Sequence, residues 1–177
     1  MNVSRAKLLG TGTALAAFGS SMLGPFILAA EAADEGDIKI LNVAIALERA
    51  GIKAYTDAAG LNLLTPDVLA IAKGFIGDHT AHRDALIGAV KAAGATPTDD
   101  TTKLTYPTLK TQADILMFAE TVERTAASTY LSVIPAFKDK DLAKVAGSIL
   151  GVETTHVAIL AYALKQGTEP YPKSFVS

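Results

Sequence analysis

Glu153-Thr154-Thr155-His156 and His79-Thr80-Ala81-His82 decide how this 177-residue chain is read. In each stretch two side chains able to bind a metal stand three residues apart, a spacing that puts them on one face of a helix. Together the two stretches hold all three histidines of the chain. Two other segments share a second signature: Glu48-Arg49 followed by Tyr55, and Glu123-Arg124 followed by Tyr130. Glutamate and tyrosine are seven residues apart in both, about two helical turns along one face. The pattern predicts four helices, each directing ligands at one buried metal site.

Working outward, the flanking residues supply helix starts and stops. The first helix is expected to begin at Asp37 as N-cap and run to about Ala59, with Gly60 as its stop. Ile40, Leu41, Ala44, Leu47, Gly51, Ile52 and Tyr55 recur there with a helical period. The second has the clearest start: Thr65 caps, Pro66 takes the first helical position, and Asp67 suits the positive helix end. It is expected to reach Ala93, with Gly94 ending it. Residues 95–107 are rich in Thr, Asp and Pro and show no apolar period. The third helix is expected from Thr108 or Thr111 to about Ile134, where Pro135 kinks or ends it. The fourth is expected from Asp139 or Asp141 to Gly167, followed by an irregular tail. Short first and third links predict two antiparallel hairpins, and the long middle link predicts a crossover along the bundle. The fold class is all-α, an antiparallel four-helix bundle that reads as a low-identity internal duplication.

Composition fits this. Half the residues are hydrophobic and only 6% are aromatic, which favours close-packed helices. A net charge of -2, with no basic stripe or aromatic platform, gives no sign of nucleic-acid binding, and no nucleic-acid partner is expected. Having no cysteine excludes disulfides, iron–sulfur clusters and thiol catalysis. Residues 1–32 read as an export signal and residues 33–177 as the bundle domain. Arg5 and Lys7 give a positive start, no charge occurs from Leu8 to Ala30, and Ala30-Glu31-Ala32 fits a small-x-small cleavage site. Ser4-Arg5-Ala6-Lys7-Leu8-Leu9 is similar to a twin-arginine signal with alanine in place of the second arginine, so both Tat and Sec export are open. The chain is expected to be periplasmic or otherwise exported in a bacterium. A membrane partner is expected only if the signal stays uncleaved.

Glu48 stands among Ala44, Leu47, Gly51 and Ile52, and Glu123 among Ala119, Val122, Ala126 and Ala127. On core faces, lone carboxylates would carry a heavy desolvation cost that a bound cation removes. The candidate ligands are therefore Glu48, His79, His82, Glu123, Glu153 and His156. Tyr55 and Tyr130 are the candidates to hydrogen-bond the ligating carboxylates. Asp78, four residues before His82, is an alternative to His79 as ligand. Asp84 is expected to be solvated and Glu120 to lie at the rim or exposed. Glycines 51, 74, 77, 147 and 151 are expected to permit close helix approach.

On these residues the chain resembles the ferritin-like superfamily. It is similar to the bacterial exported ferritin-like domain proteins of the desiccation-related type, and it shares ligand spacing with bacterioferritin and rubrerythrin. The resemblance covers roughly residues 37–167 and implies the ferritin-like form of the bundle. In that superfamily the single glutamates are terminal ligands. The Glu of each Glu-x-x-His bridges two irons, and the His binds one of them. The resemblance thus implies terminal roles for Glu48 and Glu123, a bridging role for Glu153, and terminal nitrogen ligation by His82 and His156. It implies iron as cofactor, two ions, with manganese or zinc as alternatives, and oxygen or peroxide as reaction partner. The implied activity is that of a ferroxidase-like or stress-protective, metal-dependent oxidoreductase, and a homodimer is compatible with it.

His79 departs from the family pattern, standing where glutamate is expected. One histidine nitrogen cannot bridge two metals as a carboxylate does. Three outcomes stay open: a dinuclear site with one carboxylate bridge and an extra histidine, a mononuclear site, or Asp78 in place of the missing carboxylate. The competing functional reading is a non-catalytic structural or binding bundle with a mononuclear, structural or vestigial metal site.

Overall fold

The computed structural model describes residues 34–164, so the expected export signal and tail lie outside the described residues. Four helices occur in the order α1 Glu35–Gly60, α2 Pro66–Ala92, α3 Gln112–Val133 and α4 Lys140–Ala163, with a 3-10 turn at Ile134–Ala136. Among the described residues there is no strand. α1 packs mainly on α2 and α3 on α4, and α1–α3 and α2–α4 contacts join the two hairpins.

The helix boundaries follow local chemistry, with several corrections. Asp34, not Asp37, caps α1, its carboxylate accepting from Gly36 N–H. Asp37 lies inside the first turn and is 1% exposed. Its two carboxylate oxygens accept the backbone N–H groups of Lys138 and Asp139, each at 2.9 Å. It therefore serves the start of α4, a hundred residues away in the chain, rather than its own helix. Gly60 is still helical, and the left-handed residue that turns the chain is Asn62, at φ 56°. Thr65 stands at the N-cap of α2 without a side-chain cap bond; its own N–H donates to Gln112 Oε1 at 2.7 Å. Gly94 adopts φ 73° just past α2, as a helix-ending glycine should. At α3 the choice falls on Thr111, which forms a reciprocal capping box with Asp114. At α4 it falls on Asp139, which accepts from Asp141 and Leu142. Pro135 ends α3 in the 3-10 turn. α4 ends at Ala163, and the stop expected at Gly167 lies outside the described residues.

The crossover between α2 and α3 runs along α1 and is tied to it at successive turns. Thr98 N–H donates to Asn42 Oδ1 at 2.7 Å and Thr102 N–H to Ala46 O at 3.0 Å. Arg49 donates to Thr98 O at 2.6 Å, and Tyr106 donates to Asp57 at 3.0 Å. The repeated Glu-Arg pairs have thus diverged. Arg49 clamps the crossover, whereas Arg124 pairs with Glu120 one turn before it in α3 at 2.6 Å. Glu120 is largely buried beneath that arginine at the rim, and Asp84 is exposed beside Arg83.

Two apolar clusters fill the bundle. One includes Leu41, Ile45, Leu86, Val90, Leu142, Ala146 and Ile149; the other includes Ala72, Phe75, Leu116, Ala119 and Leu160. On every helix the predicted ligands lie between the residues of these two clusters, so the site is enclosed at both ends by hydrocarbon. Asp37→Ala should destabilise the protein by roughly 2–4 kcal/mol, because two part-buried backbone N–H groups lose a charged acceptor. Urea unfolding of the variant checks this, and a loss under 1 kcal/mol would mean that water replaces the carboxylate.

Candidate metal centre

All six predicted ligands meet in the core. Glu48, Glu123 and Glu153 are at most 1% exposed, His79 and His156 are 2% exposed, and His82 is only slightly more open. Their donor atoms form two groups, each compact enough to surround one ion: Glu48, His79, His82 and Glu153, and His79, Glu123, Glu153 and His156. His79 and Glu153 belong to both. They are the residues at the paired first positions of the two ligand-x-x-His stretches.

His79 stands edge-on between the two halves. Its Nδ1 lies 2.8 Å from Glu48 Oε2, and its Nε2 lies 3.2 Å from Glu123 Oε1. His82 Nδ1 lies 3.1 Å from Glu153 Oε1, and His156 Nδ1 lies 3.4 Å from Glu123 Oε2 and 3.7 Å from Glu153 Oε2. The tyrosines cross over. Tyr55 of α1 donates to Glu123 of α3, and Tyr130 of α3 donates to Glu48 of α1. Each tyrosine thus serves the carboxylate of the other half, a pairing that spacing along one helix does not reveal.

Asp78 does not face the ligand cluster. It is largely exposed, and its Oδ2 lies 3.1 Å from Nε2 of His156, whose Nδ1 faces the cluster. It therefore orients His156 from behind instead of replacing His79, and Phe75 stacks on the same imidazole with ring centroids 3.7 Å apart. This Asp–His contact joins α2 to α4, which is why it is hard to read from the sequence. Gly51 does permit a close approach, as expected, and the group that approaches is His79. A Cβ there would lie 3.1 Å from three atoms of the His79 ring. The other glycines expected to permit close approach do not do so. Gly74, Gly77 and Gly151 face open space, and Gly147 would make only an ordinary 4.0 Å contact.

The residues fit a cation. Among the described residues, three buried side-chain atoms have no hydrogen-bond partner: His82 Nδ1 and both oxygens of Glu153. His82 Nδ1 and Glu153 Oε1 are close, yet they are not aligned as a hydrogen bond. Buried polar atoms are rarely left in this state, and a shared ion is the usual remedy for convergent carboxylate and imidazole donors.

Protons balance the same charges when metal is absent. Burial opposes a charge on His79, but hydrogen bonds to Glu123 and Glu48 outweigh it and raise its pKa to about 11. Burial likewise opposes charge on His82 and His156. Glu153 and Glu48 raise the first to about 9, and Glu123 and Glu153 raise the second to about 9. Glu48 and Glu123 are held below the usual carboxylate range by their histidines despite burial. Burial and the Glu123 carboxylate push Glu153 up, against the opposing influence of the nearby His156 and His82 imidazoles.

A histidine with a raised pKa stabilises the fold fully below its unfolded value of 6.5 and loses that contribution as pH rises through the folded value. Chelator-treated protein should therefore show a melting temperature that falls between pH 6.5 and about 9 as His82 and His156 deprotonate, with His79 extending the fall to about 11. Thermal melts across that range check this, and a flat profile would contradict it.

An apolar cavity of about 170 Å³ lies between α1 and α3 beneath the crossover. Leu47, Leu104, Phe118 and Val122 line it, and it reaches Glu48 and His79.

Comparison with known proteins places this arrangement. A family model described as "Ferritin-like domain" matches residues 36–166. No curated protein sequence matches. Among solved structures, a conserved hypothetical protein from Mycobacterium tuberculosis superposes with TM-score 0.67 at 22% identity, covering 79% of this chain and 96% of its own. A ferritin-like, diiron-carboxylate protein from Bacillus anthracis gives TM-score 0.62 at 20% identity, covering 72% of this chain and 94% of that one. A mycobacterial bacterioferritin gives TM-score 0.70 at 15% identity, covering 77% and 87%. At these identities the structural likenesses establish the fold. With the family match over nearly all of the described helices, they show that this chain belongs to the ferritin-like domain family.

Proposed function

We propose that this protein is an exported ferritin-like metalloprotein whose buried cluster holds two ions, iron or manganese, that react with oxygen or peroxide in a ferroxidase-like or stress-protective role. The observation that carries the metal reading is the pair of unpartnered Glu153 oxygens and the unpartnered His82 Nδ1, buried among four other ligand-type side chains. Export to the periplasm or beyond is supported by the charge and hydropathy pattern of residues 1–32. The diiron-carboxylate character of the Bacillus anthracis neighbour supports iron.

Bound iron or manganese would supply the electrons for this chemistry. The chain's part is to bind and shield it. Glu48 and Glu123 are held as carboxylates by their histidines, and each accepts a hydrogen bond from a crossed tyrosine. The two apolar clusters exclude water from both ends. The cavity beneath the crossover offers a small uncharged molecule a route to Glu48 and His79, and its volume is close to that of a roughly 150 Å³ engineered cavity that binds benzene. Metal entry must displace the protons on the histidines, so affinity should rise with pH.

A second reading keeps the metal structural or the site vestigial. His79 favours it, because the imidazole already joins Glu48 to Glu123 without any ion. Redox turnover separates the two. The untagged protein should contain about two ions per chain, lost in His82→Ala/His156→Ala, and Glu153→Ala should abolish iron(II) oxidation or peroxide consumption while the helical circular-dichroism signal persists. Turnover absent from the loaded protein, or unchanged in Glu153→Ala, would select the structural reading. Asp78→Ala should weaken metal binding by roughly 10–100-fold through its loss behind His156, with little change in the stability of the metal-free fold, as metal titration followed by thermal melts would show.

A further inference from the structure

The metal reading leaves unexplained why histidine stands at a position shared by both halves of the site, and why glycine stands beside it. The two halves of the chain answer differently at the same places. Three residues after the single glutamate, the first half has Gly51 and the second has Ala126. The first position of the ligand-x-x-His stretch is His79 in the first half and Glu153 in the second. The odd pair is in contact, because the missing Cβ of Gly51 is the space that the His79 ring occupies, 3.1 Å from Nδ1, Cε1 and Nε2 alike. Its neighbours hold the ring in this position. Glu48 and Glu123 hold its two nitrogens, Tyr55 stacks on it with centroids 5.7 Å apart, and His156 lies against it edge-on at 5.5 Å.

We propose that Gly51 and His79 are a matched pair that turns the shared position into a two-nitrogen bridge. His79 gives Nδ1 to the ion held by Glu48 and His82, and Nε2 to the ion held by Glu123 and His156, with Glu153 as the one carboxylate common to both. The proposal rests on the metal-binding reading for its ligation and on packing alone for the pairing of Gly51 with His79. A single imidazole nitrogen cannot bridge, but the two nitrogens of one ring face opposite halves here. A neutral imidazole carries one N–H, so holding an ion at each nitrogen sends that proton to solvent and leaves a ring of charge -1. The cluster then carries the charge of a four-carboxylate set, although it has only three carboxylates.

Two consequences follow from the chemistry. Each ion stands outward from its own nitrogen, so the pair is wider than the roughly 3.5–4 Å usual for two-metal sites. Each ion also sees two nitrogens and two carboxylates, a set that shifts preference toward zinc or copper and away from manganese relative to a glutamate at this position.

The test uses the full exported chain without a His-tag, loaded with cadmium as a spectroscopic probe, with its three histidines labelled at the ring nitrogens. Both His79 nitrogens should couple to cadmium, each to a different ion, while His82 and His156 couple through one nitrogen each. His79→Glu should remove the doubly coupled ring and raise the affinity for manganese relative to zinc. Coupling through only one His79 nitrogen would overturn the bridge. No cadmium uptake at all would overturn the metal-binding reading and the bridge with it, but would leave the pairing to be judged by stability.

That judgement is a mutant cycle on metal-free protein. Gly51→Ala should lower the melting temperature while His79 is present. In the His79→Glu background it should raise the melting temperature or leave it unchanged, since alanine is the better helix former once the ring is gone. Equal effects of Gly51→Ala in both backgrounds would overturn the matched pair.

Discussion

Three carboxylates buried among hydrocarbon are the constraint on which the rest of this protein depends. Alone in the bundle core, Glu48, Glu123 and Glu153 would be strongly unfavourable. Three imidazoles converge on them, and two tyrosine hydroxyls hydrogen-bond two of them. Protons can balance the charges when no ion is present, with each histidine pKa lifted well above its ordinary value. The same arrangement suits cations, because removing protons from the histidines frees nitrogen lone pairs already aimed at the centre. Fold stability and metal binding are thus coupled through one set of groups.

The bundle is built to hold that centre closed. Each hairpin supplies one glutamate helix and one histidine helix, and crossed hydrogen bonds from Tyr55 to Glu123 and from Tyr130 to Glu48 tie the hairpins together at ligand level. The Asp78–His156 contact does the same between α2 and α4. Asp37 fastens the start of α4 to α1, and the crossover is tied along α1 from Asn42 to Asp57. Polar bonds therefore supply register where apolar packing alone would tolerate sliding. The duplicated halves are alike in their ligands and tyrosines but unlike at Gly51 and Ala126, at His79 and Glu153, and in the partners of Arg49 and Arg124. The first half carries the crossover clamp and the unusual histidine.

Much of this was legible along the chain. The sequence narrows the start of α3 to Thr108 or Thr111 and that of α4 to Asp139 or Asp141, of which Thr111 and Asp139 are the caps, and Gly94 and Pro135 mark where α2 and α3 stop, because caps and turns are local events. The six ligand-type residues and both tyrosines were identifiable because helical spacing makes i, i+3 and i, i+7 neighbours whatever the surroundings. Asp37 shows where such reasoning stops. It has the residue type and place of a cap, yet its carboxylate serves backbone amides of the chain leading into α4. Gly60 and Thr65 likewise look like a stop and a cap, but Asn62 makes the turn and Thr65 offers its amide, not its hydroxyl.

The sequence by itself determined the four helices, their order, the long crossover and the set of side chains able to meet in the core, since each follows from short-range periodicity and capping. Only the tertiary structure decided which helix each side chain answers to. It placed Tyr55 on Glu123 and Tyr130 on Glu48, turned Asp78 behind His156, and seated the His79 ring against Gly51 with one nitrogen toward each half. Those pairings depend on the rotation and axial offset of one helix against another. Packing of the whole bundle sets these quantities, and no local run of residues encodes them.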